Sequence, residues 1–314
     1  MFQSWGLVIA VLGLLGLATW GGEWLRRQDA AAVDRRTVEA FNARIHAWWF
    51  FTAVIALAFL APGLTVLLFG LLSFWALREF VTLTPTRSGD HRALFWVFFF
   101  FAPAQFVLVY LDYYGLFSML IPLYAFQFIA VRSAAAGDYD RFLERVAKVQ
   151  CGLMVCVYCL SFAPAILNLH AQDEVGRFSS ARLLFFYVTM ALAADLFQWI
   201  WSRIYGNHIV APKIDPHLSW EGILAGGGCT AALGLLLIWA NPFPAWWQTA
   251  TMSLLIAALA AAGSLTMSAI KRDRGELGEE LNIEGPGGVL SHIDALIFSA
   301  PAFYHCARYF FSVE

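Results

Sequence analysis

Between residues 268 and 296 the chain reads SAIKRDRGELGEELNIEGPGGVLSHIDAL, the densest gathering of reactive side chains in it. Lys271, Arg272 and Arg274 stand beside Asp273, Glu276, Glu279, Glu280 and Glu284, followed by Gly285, Gly287 and Gly288 and then His292 and Asp294. Cations of this kind hold phosphate, glycine backbone N–H groups approach anions closely, and carboxylates bind hard divalent ions. Together they are the parts of phosphoryl-group chemistry. A second polar stretch, APKIDPHLSWEGILAGGG, crowds Lys213, Asp215, His217, Ser219 and Glu221 before an apolar run. Ser219 and Glu221 suit either a helix cap or a binding role, while Gly222 and Gly226 form a small-residue face for close helix approach. Upstream, Asp195 in LAADLFQWIW is a carboxylate inside an apolar run, with Gln198 one helical turn away. Such an acid is costly at membrane depth and is a functional candidate for that reason. There is no Walker sequence, and the seven histidines have no zinc-ligand spacing.

The elements that must carry these groups are membrane helices. Of the 314 residues 60% are apolar and only 13% charged, and the mean hydropathy is +0.66. That leaves too little polar surface to coat a soluble globule. A net charge of −2 excludes the basic field that nucleic-acid binding requires. The expected architecture is an all-α, polytopic integral membrane protein with about ten transmembrane helices. They fall near 5–24, 47–61, 64–80, 93–111, 113–131, 150–170, 183–201, 222–240, 248–268 and 295–311. Seventeen of the 20 lysines and arginines fall in alternate loops, which puts those loops, and the reactive stretches with them, on the cytoplasmic side and both termini outside. Three parts follow: 1–46 as a first span and a basic cytoplasmic helix, 47–182 as an N-terminal bundle, and 183–314 as the part holding the reactive stretches. Cys156 and Cys159 have redox spacing, but within CGLMVCVYCLSF they read as small packing residues on a helix.

In its motifs the chain resembles the phosphatidate cytidylyltransferase, or CDP-diacylglycerol synthase, family. The family's C-terminal pattern, S-x-x-K-R-x-x-x-x-K-D followed by P-G-H-G-G-x-x-D-R-x-D, is met at Ser268, Lys271, Arg272, Gly285, Gly287, Gly288 and Asp294. Asp195 resembles the family's intramembrane acid. Pro216, Ser219, Glu221 and Gly222 resemble its S-P-x-K-[ST]-x-E-G segment, and FWALREF, residues 74–80, its third-span motif. The resemblance implies CTP and phosphatidate as substrates, CDP-diacylglycerol and pyrophosphate as products, Mg²⁺ as cofactor and a bacterial inner-membrane setting. It implies Asp195, Lys271, Arg272 and Asp294 as catalytic groups, with Asp294 as the metal-binding acid. Lys213, Ser219, Glu221, Ser268, Gly287 and Gly288 would be substrate contacts. Membrane lipids are the remaining partners, and the small-residue faces are compatible with a homodimer as well as with packing inside one chain.

The departures are concentrated in acids. The family's G-D pair is here Gly263 and Ser264, its K-D pair falls on Leu277 and Gly278, and its D-R pair on Ser291 and His292. The P-G-H triplet becomes Glu284, Gly285 and Pro286, and Leu218 replaces the cation of S-P-x-K-[ST]. A serine hydroxyl brings no negative charge to a divalent cation. Three readings therefore stand: a non-catalytic paralogue that keeps a lipid or nucleotide pocket, a nucleotidyltransferase with relocated acids, and a membrane scaffold or carrier.

Overall fold

Apolar runs of this length become helices because the hydrocarbon layer offers no water to the backbone, and a helix satisfies its own N–H and C=O groups. The computed structural model describes residues 61–84, 87–169, 177–237, 243, 245–273 and 288–312, together with scattered positions before residue 57. Six described helices are long and apolar enough to cross a membrane. These are α1 (Pro62–Leu83), α2 (His91–Tyr110), α3 (Tyr114–Ala134), α4 (Phe142–Asn168), α5 (Arg177–Tyr205, apolar from Ser180) and α7 (Trp246–Asp273). Between the last two lies α6 (Trp220–Leu236), apolar but only 17 residues long, and α8 (Leu290–Ser312) closes the described chain. The protein is thus a polytopic, all-helical integral membrane protein. Of the expected spans, that at 5–24 lies mostly outside the described residues, and that at 47–61 is described only in part, at 48–53, 56 and 61.

One local difference from the sequence expectation concerns residues 209–219. This polar stretch is folded rather than irregular, into an antiparallel hairpin of β1 (Ile209–Ala211) and β2 (Asp215–Ser219), with Ile209 opposite Ser219 and Ala211 opposite Asp215. Two short strands with Pro212 between them carry too little apolar alternation to be seen as a hairpin beforehand.

Three of the helices widen into a π turn, at Val97–Phe101, Leu120–Ala125 and Met154–Cys159. Each contains a proline or lies shortly before one (Pro103, Pro122, Pro164), a residue that lacks the N–H of a regular helix and crowds the carbonyl four residues back. Carbonyls in or beside these turns receive side-chain donors. Ser73 donates to Cys156 O at 2.7 Å, Gln150 to Ile121 O at 3.1 Å, Ser161 to Tyr158 O at 2.7 Å and Gln105 to Phe117 O at 3.0 Å. All five cysteines are free, with Cys156 buried among apolar neighbours, in keeping with a packing role.

The core runs through both halves of the chain. Phe117, Phe162, Tyr187 and Phe303 are fully buried, and the Tyr187 hydroxyl donates to Leu296 O at 2.6 Å. Large apolar side chains such as Leu71, Trp75, Phe95 and Phe99 point outward instead, as helices surrounded by lipid require.

Where the α1–α2 and α3–α4 connections meet, the Arg145 guanidinium is buried against Asp90, with Nε to Oδ1 and Nη2 to Oδ1 both 2.9 Å. It also donates to the carbonyls of Asp138 and Asp140 at 3.1 and 3.0 Å, and Arg87 reaches Asp140 at 2.6 Å from outside. A buried ion pair contributes little over a well-packed apolar pair, but removing one partner strands the other charge. Asp90→Ala should therefore destabilise the protein by about 3 kcal/mol, the lower end of the usual cost, because Asp138 remains 2.8 Å from Arg145. Thermal unfolding in detergent, with Asp90→Asn as the milder companion, measures this.

Candidate functional site

Three helix ends converge with the hairpin at one end of the bundle: the C-terminal ends of α5 and α7 and the N-terminal end of α6. Ser219 is the N-cap of α6, accepting the Gly222 N–H at 3.0 Å, so the capping expectation for this serine holds. Its own N–H and hydroxyl both lie 3.3 Å from Ser202 Oγ on α5. A Cβ on Gly222 would overlap Ser202, and one on Gly226 would come within 2.7 Å of the Gln198 backbone nitrogen. The two glycines are thus what lets α6 lie flush on α5. Gln198 is 4% exposed and donates to Ala257 O on α7 at 2.7 Å, which ties the third helix to the same point.

The cationic end of α7 is braced on the hairpin. Arg272 Nε donates to the Ile214 carbonyl, and Ser268 Oγ donates to Asp215 Oδ2 at 3.2 Å. Asp215 Oδ1 in turn accepts the His217 N–H at 3.0 Å, which fixes the carboxylate in the strand. Lys271 is half-buried beside Arg272, and Lys213 is exposed at the hairpin turn. Glu221, in the polar first turn of α6, accepts from the His208 backbone N–H at 3.2 Å and contacts the His208 ring. The His208 hydrogen bond, helped by the backbone N–H groups, holds the Glu221 carboxyl down at about 2.

Deeper in the bundle, Ala194, Ala257, Ala260 and Ala295 meet where α5, α7 and α8 cross. Asp195 and Asp294 flank this small-residue contact directly in sequence, one on α5 and one on α8. Asp195 is half-buried, ten residues before the end of α5, or roughly 15 Å along the helix. Asp294 is 6% exposed, and its Oδ1 accepts the Ala295 N–H at 2.8 Å. Gly263 of α7 packs on the same spot, where a Cβ would stand 2.8 Å from the Asp294 carbonyl oxygen. Gly288, just before α8, borders the Glu79 carboxylate of α1; Gly287 and the acids from Glu276 to Glu284 lie outside the described residues.

The predicted residues thus fall into a hairpin group (Lys213, Ser219, Glu221, Ser268, Lys271, Arg272) and a deeper pair (Asp195, Asp294). Sequence reasoning left Asp215, Ser202, His208 and Glu79 out of the site. A signal existed for two of them. Asp215 stands where the S-P-x-K-[ST] segment has its leading serine, and Glu79 is the single acid of α1.

The expected Mg²⁺ can be tested against these donors. Among the described residues no three His, Cys, Asp or Glu side chains come together to hold a metal ion. Asp294 has one oxygen turned to its own helix, and both oxygens of Asp215 are already accepting hydrogen bonds. The described acids alone do not make a hard-ion site, which ordinarily gathers several oxygen ligands.

The protein is thus a polytopic helical membrane protein with cations braced on the hairpin at one end, its mouth, and with Asp195 and Asp294 deeper in the bundle. The chain belongs to the cytidylyltransferase family, whose model matches residues 42–310. It is similar to the uncharacterized protein YnbB of Escherichia coli (strain K12), 32% identical over 268 residues, which are 85% of this chain and 87% of that one. It is also similar to the phosphatidate cytidylyltransferase of Brucella abortus biovar 1 (strain 9-941), 28% identical over 148 residues, and to that of Haemophilus influenzae, 34% identical over 160 residues. These two matches cover 47% and 48% of the chain, and the chain spans about half of each enzyme's length, 54% in both cases.

The Glu221–His208 contact predicts a pH signature. Because the folded carboxyl lies below its ordinary 4.5, its contribution to the hairpin is complete above that value and is lost as pH falls toward about 2. A ¹³C-carboxyl NMR titration of labelled protein should place Glu221 near 2, and His208→Ala should return it toward the ordinary range.

Proposed function

We propose that this protein binds CTP and a phosphatidate-type lipid at the hairpin-braced mouth and transfers the cytidylyl group only slowly. The observation that carries this reading is the bracing of α7. Arg272 on Ile214 and Ser268 on Asp215 hold the cationic end of that helix in the mouth, whereas one turn deeper Ser264 presents a hydroxyl where the family pattern has a carboxylate. Groups that attract phosphate are kept, and carboxylates that would help hold a divalent cation beside the reacting phosphates are replaced.

In this reading the mouth faces the cytoplasm, the side to which the positive loops assign it, and water-soluble CTP meets the lipid headgroup there. The transfer is a displacement in which a lipid phosphate oxygen bonds to the α-phosphorus of CTP. The bond from that phosphorus to the bridging oxygen breaks, and pyrophosphate leaves. Lys271 and Arg272 neutralise the phosphates, and Ser219 and Ser268 orient them. With one charge-stabilising group missing, a rate loss of about 100-fold or more is expected. The family's Mg²⁺ requirement enters as a condition of the assay, with Asp294 as the acid assigned to it.

Purified full-length protein in detergent, given CTP, phosphatidate and Mg²⁺, should bind CTP yet turn over at least about 100-fold more slowly than a Ser264→Asp plus Ser291→Asp double variant. Equal turnover of the two proteins would overturn the slowed-transfer reading, and absence of CTP and phosphatidate binding would overturn the retained pocket.

A further inference from the structure

Gly288 and the first turn of α8 meet a residue from the other half of the chain. Glu79 lies near the end of α1, half-buried, in the motif FWALREF. Its Oε2 accepts the Leu290 N–H, the first of α8, at 3.3 Å across 211 residues of sequence. A Cβ on Gly288 would overlap this same carboxylate, which touches the space over the glycine through both oxygens. Two independent facts therefore converge on one side chain: it satisfies a helix-end donor that has no partner in its own helix, and it fills the volume that the glycine leaves open. From Leu290 the helix runs four residues to Asp294, so the direction in which α8 leaves Gly288 sets the position of that acid.

We infer that Glu79 is the positioning residue of the N-terminal end of α8, and that Gly288 is glycine because the Glu79 carboxylate occupies its side-chain space. The inference rests on the proposed CTP and phosphatidate site for its functional consequence, but not for its structural one. Glu79 acts through α8 and need not touch a ligand. Its role is that of a hydrogen-bond acceptor, not of a charge.

The test uses the full-length protein in detergent, with Glu79→Ala, Glu79→Gln, Gly288→Ala and the Glu79→Ala plus Gly288→Ala double variant. Hydrogen–deuterium exchange over peptides covering 285–294 reads the structural part. Glu79→Ala should speed exchange there about tenfold, the effect of one lost hydrogen bond, with the α5–α6 peptides unchanged as a folding control. Glu79→Gln, which keeps an acceptor oxygen, should restore most of the protection. Gly288→Ala should speed exchange in the wild-type background and add little in the Glu79→Ala background, because the clash partner is gone. Unchanged exchange in Glu79→Ala overturns the inference. So does a Glu79→Gln variant as impaired as Glu79→Ala, which would make charge the operative property. Additive effects of the two alanine substitutions overturn the account of Gly288. Calorimetric titration with CTP reads the consequence: affinity should fall about tenfold in Glu79→Ala and recover in Glu79→Gln. If the wild type binds no CTP, the proposed function fails while the exchange data still decide the role of Glu79. If the wild type binds and Glu79→Ala binds equally well, the positioning role is overturned and the proposed function stands.

Discussion

The contact between Gly226 and the backbone of Gln198 is the constraint on which the site depends. With no side chain at 226, α6 approaches α5 closely enough for Gln198 to pass beneath it and bond to Ala257 of α7. Three helices are fixed at that point by one amide and one missing Cβ. Everything toward the mouth inherits its position from there. Ser219 can meet Ser202 only because the two helices are already in register, and the hairpin that ends in Ser219 then offers Ile214 and Asp215 to α7. The cationic end of α7 is placed by a chain of polar contacts that begins inside the bundle.

Polar groups elsewhere in the membrane-embedded part follow the same economy. Where prolines open a helix, a serine or glutamine from a neighbouring helix reaches a carbonyl in or near the widened turn. Where charge is buried, as at Arg145, two carboxylates and two backbone carbonyls surround it. In water such contacts would compete with solvent; in a bilayer the alternative is an unsatisfied group, so they select one packing of the helices over others.

Much of this fold was legible in the chain. Apolar length gave the helices, Pro62 marks the start of α1, and the break at Asp112, which takes a left-handed backbone conformation, separates α2 from α3. Ser219 announced a cap and Gly222 with Gly226 a close helix face, because both rest on neighbours within a few residues. The pairing of Asp215 with Ser268 and of Glu79 with Leu290 was not legible, since each depends on which helix ends meet and the partners are 53 and 211 residues apart. Arg145 illustrates the limit from another side. As a charge in a loop count it reports orientation, but nothing in its type or spacing reveals that it is buried against Asp90. Asp294 was singled out as a catalytic, metal-binding acid from its motif position, while the turning of one oxygen to its own helix is a rotamer choice that no motif encodes.

The glycine seam also bears on lateral access to the inside of the bundle. A lipid cannot enter a bundle from the side between two helices whose backbones touch, and α5 and α6 touch along Gly222 and Gly226. On its far side α6 shows Leu224 to the surroundings, with open space at Gly228. The seam is therefore a closed wall, and any lateral route to the cations of α7 runs through a different gap between helices.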